Sequence, residues 1–303
     1  MMNLERLAVL RAVAQGESIH GAARAMHLTP SAISQQIAKL EREVHQELIV
    51  RDGRGVRLTN TGRMLAERAK SIIDAVNELE AEVDSFRDLV AGPVAISAFA
   101  TAARGLGPVL LSRLHSRYEA LDATLSEHEP TDSIPMLARG DIDIVIAQDW
   151  FNQPLAMPPG LERADLFDDT ADIALHRDHA LASRRSISLD AFANERWITW
   201  QPGSICHEWL LHTYRSRGVE PQIAHTASEH ATQLALVAAG LGPAVIPRLG
   251  RGDVPMEVRM VRVTPALKRR LFVAWRTNAV RHSNVLAVRN VLASVIPKGS
   301  TSL

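Results

Sequence analysis

The chain has 303 residues, enough for about two domains with cores of their own, and its 46% hydrophobic content is ordinary for a globular protein. The 34 Lys and Arg residues balance the 34 Asp and Glu residues, so the net charge gives no support for a nucleic-acid partner. The single cysteine, Cys206, excludes an internal disulfide, and no apolar run approaches the roughly 20 residues of a membrane helix. Because the N-terminus also lacks the apolar core of a signal peptide, we expect a cytoplasmic protein with no membrane partner.

A pair of short helices joined by a tight turn is predicted over residues 18–39. Thr29 can cap a helix whose first residue is Pro30, a position that needs no backbone N–H. Apolar residues recur at helical spacing on one face of that helix, at Ile33, Ile37 and Leu40. Its other face carries short polar side chains, namely Ser31, Ser34, Gln35 and Lys39. The second helix of a helix-turn-helix needs such a face in the major groove, although the same pattern also fits an ordinary helical hairpin.

Two β-prone runs, residues 48–50 and 56–58, flank a turn rich in Gly and Arg and favour the wing of a winged helix-turn-helix. Arg51, Arg54 and Arg57 are placed to contact phosphates, which fix register without reading sequence. Basic residues also outnumber acidic ones over residues 1–70, a modest excess of the sign that DNA binding needs.

A long helix is predicted over residues 61–90, which contain no proline and only one early glycine. Its apolar residues alternate by four and three, as in a heptad seam: Leu65, Ala69, Ile72, Val76, Leu79, Val83, Phe86 and Val90. Such a helix would be roughly 45 Å long, too long for a module of this size to bury. We therefore predict a dimerisation helix, with a helix lying across its own chain as the alternative.

The remainder alternates predicted strands and helices from Val94 onward, which favours two consecutive α/β units with parallel sheets. Two such units leave a crevice between them, the usual place for a small ligand. The last elements predicted are a strand over residues 271–275 and a helix over residues 283–296.

These segments together resemble the LysR-type transcriptional regulators. The resemblance is carried by residues 18–28, by PSAISQQI at residues 30–37 with Leu40 and Glu41, and by VRLT at residues 56–59 with Gly62. Downstream it is carried by GDIDI at residues 140–144, HALA at residues 179–182 and VAAGLG at residues 237–242. His45 and Ile49 depart from the family pattern, in which Gly and Phe are usual, so the turn before the wing is expected to differ in shape.

The resemblance implies an α + α/β architecture with a winged helix-turn-helix at residues 1–59 and a linker or dimerisation helix at residues 60–91. It further implies a two-lobed effector domain similar to periplasmic solute-binding proteins. Lobe I would comprise residues 92–167 and 269–298, and lobe II residues 168–268. The implied partners are double-stranded DNA, other copies of the chain in a homodimer or homotetramer, a small-molecule effector and, for an activator, RNA polymerase.

The resemblance also implies site residues. The DNA-contacting set would be Ser18, Thr29, Pro30, Ser31, Ser34, Gln35, Lys39, Arg51 and Arg54. The effector crevice would be lined by Ala100, Thr101, Ala102, Glu129, Pro130, Thr131, Trp200, Gln201, Gly203 and Ser204. Thr101 and Ser204 stand near predicted helix starts, where free amides favour a small organic anion, although many such helix starts bind only water.

Cys206, several histidines and the chain as a whole each allow a second interpretation. Cys206 beside His207 could be a redox switch, but a buried helix residue is the preferred interpretation because no second cysteine can resolve a disulfide. His176 with His179, and His225 with Glu229 and His230, could begin metal sites, but solvated surface histidines are preferred and neither a metal nor another cofactor is expected. The sequence contains no recognisable catalytic motif, which argues against an enzyme. The other alternative is a solute-binding protein with an added oligomerisation module.

Overall fold

The computed structural model describes residues 2–16, 18–26, 28–52, 55–85 and 90–296. The chain forms two compact units, and the boundary between them in the sequence lies between Val83 and Asp84.

The first unit begins with three helices, followed by a two-stranded hairpin and a long helix. Its elements are α1 (Leu4–Gly16), α2 (Ile19–Ala25), α3 (Pro30–Val44), β1 (Ile49–Asp52), β2 (Gly55–Leu58) and α4 (Asn60–Ser85). The inner face of α3 packs on α1, and Leu10, Ile33 and Leu40 are each 0% exposed. The helical periodicity in the sequence therefore identified this core correctly.

Local hydrogen bonds define the helix ends that position α3. Ser18 accepts a hydrogen bond from Gly21 N at 2.9 Å, and Thr29 accepts one from Ala32 N at 3.2 Å, which caps α2 and α3. Pro30 occupies the first turn of α3 as predicted. His45 ends α3 with φ 53°, a left-handed conformation that glycine adopts more easily. The turn therefore forms with histidine where the family usually has glycine.

The hairpin is held to α3 and α4 through Leu48 and its neighbours. β1 and β2 pair antiparallel with Ile49 opposite Leu58, which gives the predicted wing its strands. Glu41 Oε1 accepts hydrogen bonds from Leu48 N at 2.8 Å and Ile49 N at 3.2 Å. A Cβ at Gly62 would lie 2.1 Å from Leu48 O, so only glycine lets α4 begin this close to the hairpin.

The predicted seam along the long helix needs correction at both ends. Leu65 and Ala69 are 9% and 0% exposed in the core of the first unit, so they have little or no surface for a partner helix. Val90 lies beyond α4 and packs against the core of the second unit. Ile72 and Leu79 are 43% and 61% exposed. Val76 is half-buried, the side chain of Val83 is not described, and Phe86 lies outside the described residues.

The second unit alternates strands and helices as predicted. Its helices are α5 (Ala100–Arg117), α6 (Pro130–Arg139), α7 (Ile205–Arg215), α8 (His230–Ala238) and α9 (Ser283–Val295). Its strands are β3 (Gly92–Ala98), β4 (Leu121–Glu127), β5 (Ile144–Trp150), β6 (Leu161–His176), β7 (Ser186–Ile187), β8 (Arg196–Thr199), β9 (Gln222–Thr226), β10 (Ala244–Pro247), β11 (Val258–Val263) and β12 (Leu267–Arg276).

Among the described residues, strand pairing in the second unit is continuous from one α/β half to the other. The order is β4-β3-β5-β12-β6-β10-β8-β9, with β11 beside β6 and β7 beside β11. β3 pairs parallel with β4 and β5, and β8 pairs parallel with β9 and β10, as strand-helix alternation predicts. The antiparallel pair β6 and β12 joins these two parallel groups.

The two long strands were predicted only in part. β6 has 16 residues, of which the sequence pattern indicated residues 173–175, and β11 was missed. The charged residues of LERADLFDDT hide the first half of β6 in the sequence, and Arg270 on the neighbouring β12 forms ion pairs with two of them, Asp165 at 3.2 Å and Asp168 at 3.4 Å. The predicted lobe limits at residues 167/168 and 268/269 fall inside β6 and β12, so both halves share these strands.

In the part of the chain that the structure describes, no helix combines the length and the apolar character needed to cross a membrane.

Candidate functional site

The outer face of α3 is polar and exposed. Ser31, Ser34, Gln35 and Lys39 are all exposed, while Ile33 and Ile37 on the opposite face are buried. Ser34 Oγ donates to Pro30 O at 2.9 Å, which leaves its lone pairs for an outside donor. Gln35 makes no side-chain hydrogen bond among the described residues, so its amide can still donate and accept. This face has the chemistry that base-edge recognition requires.

A fully buried guanidinium organises the second unit. Arg269 is 1% exposed and lies on the inward-facing side of β12. Its Nε donates to Asp169 at 2.9 Å, Nη1 to Gln148 Oε1 at 2.6 Å and Nη2 to Thr101 Oγ1 at 2.9 Å. These partners come from β6, β5 and the start of α5. We call Thr101, Gln148, Asp169 and Arg269 the Arg269 cluster.

Four helices of this unit, α5, α6, α8 and α9, begin without a side-chain cap. Phe99, Glu129 and Glu229 precede α5, α6 and α8 and make no capping hydrogen bond. In contrast, Ser204 caps α7 by accepting from His207 N at 3.3 Å. Amides in the first turn of an uncapped helix are available to an anion, and Thr101 and Glu129 place the starts of α5 and α6 near Arg269.

His230, the first residue of α8, is a buried imidazole without a hydrogen-bond partner. It is 3% exposed, and neither ring nitrogen has a partner among the described residues. Its ring lies edge-on to Trp200 at 5.7 Å. Burial first, and then the positive charges of Arg269, Arg104 and Arg251, together lower the pKa of His230 to about 3. The neutral ring can donate from one nitrogen and accept at the other, and so offers both to a ligand.

Glu129 adds a carboxyl group whose charge is disfavoured. Burial raises its pKa, Arg269 opposes this rise, and Glu127 and Asp132 add to it. A protonated Glu129 would donate a hydrogen bond rather than repel an anion.

Cys206 is a buried helix residue, as preferred from the sequence. It is 4% exposed, and Gln148 Nε2 donates to its Sγ at 3.4 Å. Burial raises the pKa of the Cys206 thiol to about 12, although Arg269 acts in the opposite direction. The residue is therefore a thiol near neutral pH, which disfavours reaction with an oxidant.

No group of His, Cys, Asp and Glu side chains in the described ranges is arranged to hold a metal ion.

Family models match both units of the chain. The model described as "Bacterial regulatory helix-turn-helix protein, lysR family" matches residues 4–63, and the "LysR substrate binding domain" model matches residues 87–296. The chain belongs to the LysR family of transcriptional regulators.

Known proteins are similar to this chain over most or all of its length. The HTH-type transcriptional regulator TtuA of Agrobacterium vitis is 32% identical over 251 residues, which cover 82% of this chain and 81% of TtuA. A full-length OxyR variant from Pseudomonas aeruginosa has a TM-score of 0.70 at 20% identity, covering 100% of this chain and 99% of that one. CbnR in complex with its target DNA has a TM-score of 0.61 at 20% identity, covering 96% and 100%. The two structures establish the fold, which confirms the predicted helix-turn-helix and effector domain.

The structure of this LysR-family regulator brings together only part of the predicted effector set. Thr101 contacts Arg269, Glu129 lies close enough for their charges to interact, and Trp200 packs on His230. Ala102 is 0% exposed and packs in the main hydrophobic core, so it has no surface for a ligand.

The other predicted effector residues lie around helix starts. Ala100 and Pro130 open α5 and α6, and Thr131 is exposed in the first turn of α6. Gln201 and Gly203 are exposed before α7, and Ser204 turns its hydroxyl to Gln201 O at 2.8 Å. In the DNA-contacting set, Ser18 caps α2, while Arg54 lies outside the described residues and the side chain of Arg51 is not described.

Sequence reasoning missed the residues that dominate this site. Arg269 was overlooked, although strand alternation with Leu267 and Leu271 places it on the buried side of β12. Gln148 lies inside β5, directly after the apolar residues 144–147, and gave a weaker signal of the same kind. His230 was interpreted as a solvated surface histidine; this was wrong, because the start of α8 packs against Trp200.

The low pKa of His230 predicts a pH-dependent stability of the effector domain. Between about pH 6.5 and pH 3 the unfolded chain binds a proton that the folded chain excludes, so stability falls as the pH is lowered, by up to about 1.4 kcal/mol per pH unit from this group. His230→Gln should flatten that dependence, and His115→Gln, at an exposed histidine on α5, should not. Urea unfolding at several pH values measures both, and equal slopes for His230→Gln and the unmodified protein would contradict the assignment.

Proposed function

We propose that this regulator is controlled by a small organic anion that binds beside Arg269 and His230. The observation that carries the proposal is a buried imidazole, close to a buried guanidinium, whose two nitrogens have no partner in the part of the chain that the structure describes. Buried polar groups in proteins are nearly always hydrogen-bonded, so an orphan of this kind is expected to meet a ligand or an ordered water. An anion that accepts a hydrogen bond from the protonated ring nitrogen of His230 would satisfy one of the two nitrogens.

The charge of the surroundings supports an anion. Three positive charges, those of Arg269, Arg104 and Arg251, contribute to the low pKa of His230. Asp169 balances Arg269 directly, so the uncapped starts of α5, α6 and α8 supply much of the remaining attraction. A carboxylate with a polar or apolar remainder fits these groups better than a cation does.

The contacts of Arg269 also suggest how binding is communicated. The side chain joins α5, β5 and β6, while His230 and Trp200 belong to the half that contains α7 and α8. An anion that bridges Arg269 and His230 would favour one arrangement of these halves over another, which is the differential affinity that allosteric control requires. The altered arrangement would then change how an oligomer presents its recognition helices to bent DNA.

The anion proposal predicts which ligands stabilise the effector domain. In a panel of organic acids and their matched amides, we expect acids alone to raise the unfolding temperature and to titrate in calorimetry. Thr101→Val removes one hydroxyl that faces Arg269 and should weaken such binding about tenfold. Thr124→Val, at an exposed threonine on β4, should have no effect. Binding of amides or amines but not acids would refute the proposal.

For DNA recognition we propose that Thr29, Pro30, Ser31, Ser34, Gln35 and Lys39 meet the major groove, with Ser18, Arg51 and Arg54 on phosphates. The exposed polar face of α3 supports the first group. An activator of this kind would also contact RNA polymerase.

Gln35→Ala should lower the preference for the cognate site by about 1–3 kcal/mol while leaving binding to random DNA nearly unchanged, because a lost base contact reduces specificity rather than charge. The matched control is Gln46→Ala, at an exposed glutamine beyond the end of α3. Gel-shift titrations at two salt concentrations report both affinities. An equal loss on cognate and random DNA would exclude base reading by Gln35, and Arg54→Ala is expected to give that equal loss with a smaller salt slope.

For self-association we propose a homodimer, and from it a homotetramer, formed through α4. Support comes from the apolar stripe at Ile72, Val76 and Leu79, two members of which are well exposed in the isolated chain.

Leu79→Asp places a charge in this stripe and should shift the protein toward monomer at micromolar concentration, as measured by sedimentation. Ser71→Asp adds the same charge on another side of α4 and should leave the distribution unchanged. A Leu79→Asp protein that sediments like the unmodified one would show that the stripe is not an interface.

A further inference from the structure

We propose a second ligand site, separate from the Arg269 cluster, that takes a small carboxylate with an apolar body. The site is a cavity of about 300 Å³ between α7 and two chain segments, the one that leaves β5 and the one that enters β12. This volume lies at the small end of ligand pockets, which span about 300–1,000 Å³, and suits a ligand of one or two rings.

The base of the cavity is apolar. Trp150 and Trp209 are 0% and 2% exposed, and their rings stack on each other at 3.8 Å with planes inclined by 14°. Leu189 and Leu267 add apolar side chains at the wall. Because both tryptophans are almost fully covered, the base is an apolar boundary without an open ring face, which suits the apolar part of a ligand of any shape.

One edge of the cavity carries polar groups in fixed orientations. Trp209 Nε1 donates to Asn152 Oδ1 at 2.8 Å, and Asn152 Nδ2 donates to Thr213 Oγ1 at 3.0 Å. Because Thr213 Oγ1 accepts from Asn152, its own hydrogen can be donated to an oxygen of a bound molecule. The edge therefore presents a donor to a ligand in the cavity.

The rim is cationic. Lys268 and Arg217 line the cavity, and none of the lining residues carries a carboxylate. Arg217 Nη1 donates to Asp190 at 2.9 Å, whereas no partner of the Lys268 ammonium is found among the described residues. The cavity thus combines an apolar base, a hydroxyl donor and a net positive rim, which matches a carboxylate with an apolar body.

The position of this cavity gives it a route to the effector site. Trp150 lies two residues beyond Gln148, which contacts both Arg269 and Cys206. α7 carries Trp209 one turn after Cys206, so the same helix borders the cavity and the Arg269 cluster. Modulation of the effector response by this route rests on the proposed function, whereas binding in the cavity does not.

Fluorine NMR of the full-length protein with para-fluorobenzoate, beside para-fluorobenzamide, tests the site directly. We expect saturable binding of the acid at millimolar concentration or below, and at least about tenfold weaker binding of the amide. Ala266→Trp fills the mouth of the cavity and should abolish binding. Lys268→Met should weaken it up to about fivefold and Thr213→Val about fivefold.

Two controls separate this site from the effector site. Arg185→Met removes an exposed cation that does not line the cavity and should leave the affinity unchanged. Thr101→Val alters the Arg269 cluster and should also leave it unchanged. The proposal is overturned if the acid does not bind, if Ala266→Trp and Lys268→Met bind it as the unmodified protein does, or if Thr101→Val rather than Ala266→Trp removes binding.

Discussion

The buried charge of Arg269 is the constraint on which the effector domain depends. A guanidinium that is 1% exposed is tolerated only when its donors are met, and here they are met by Asp169, Gln148 and Thr101. These partners lie 100, 121 and 168 residues away in the sequence. The cluster therefore exists only when β5, β6, β12 and the start of α5 are all in place. It also makes the centre of this domain polar, where a hydrophobic core would have been simpler.

Two strands make that arrangement possible. β6 and β12 pair along most of their length and connect the parallel strands of one half to those of the other. A ligand that acts on Arg269 therefore acts on a strand that both halves share. Beyond it, α7 carries Cys206 toward the cluster and Trp209 toward the aromatic cavity. A small displacement of α7 at the Arg269 cluster would also displace it at the cavity, because a packed helix moves as one rigid element.

The DNA-binding unit follows a different logic, because almost all of its determinants are local. Caps at Ser18 and Thr29 set where α2 and α3 begin, and apolar spacing sets which face of α3 is buried. Two contacts at longer range complete it. Glu41 holds the first residues of the hairpin, and Gly62 admits α4 against Leu48. Both residues lie within the segments that carry the resemblance to LysR regulators, which explains why those segments identify the family so well.

By itself the sequence determined the elements whose signals are short-range: the helix-turn-helix, the wing, and the alternation of strands and helices. It also excluded an internal disulfide, because Cys206 is the single cysteine. The resemblance to LysR regulators also placed Thr101, Glu129 and Trp200 in the predicted effector set, and in the structure they lie near Arg269 or His230. Only the tertiary structure decided that Leu65 and Ala69 belong to a core, that His230 is buried and that Arg269 organises the site. Each of these depends on contacts between residues distant in the chain, and periodicity along a sequence shows which face of an element is apolar but not what covers it. The same reason applies to Arg269. Its partners come from α5, β5 and β6, so the sequence could not show that its buried charge would be neutralised.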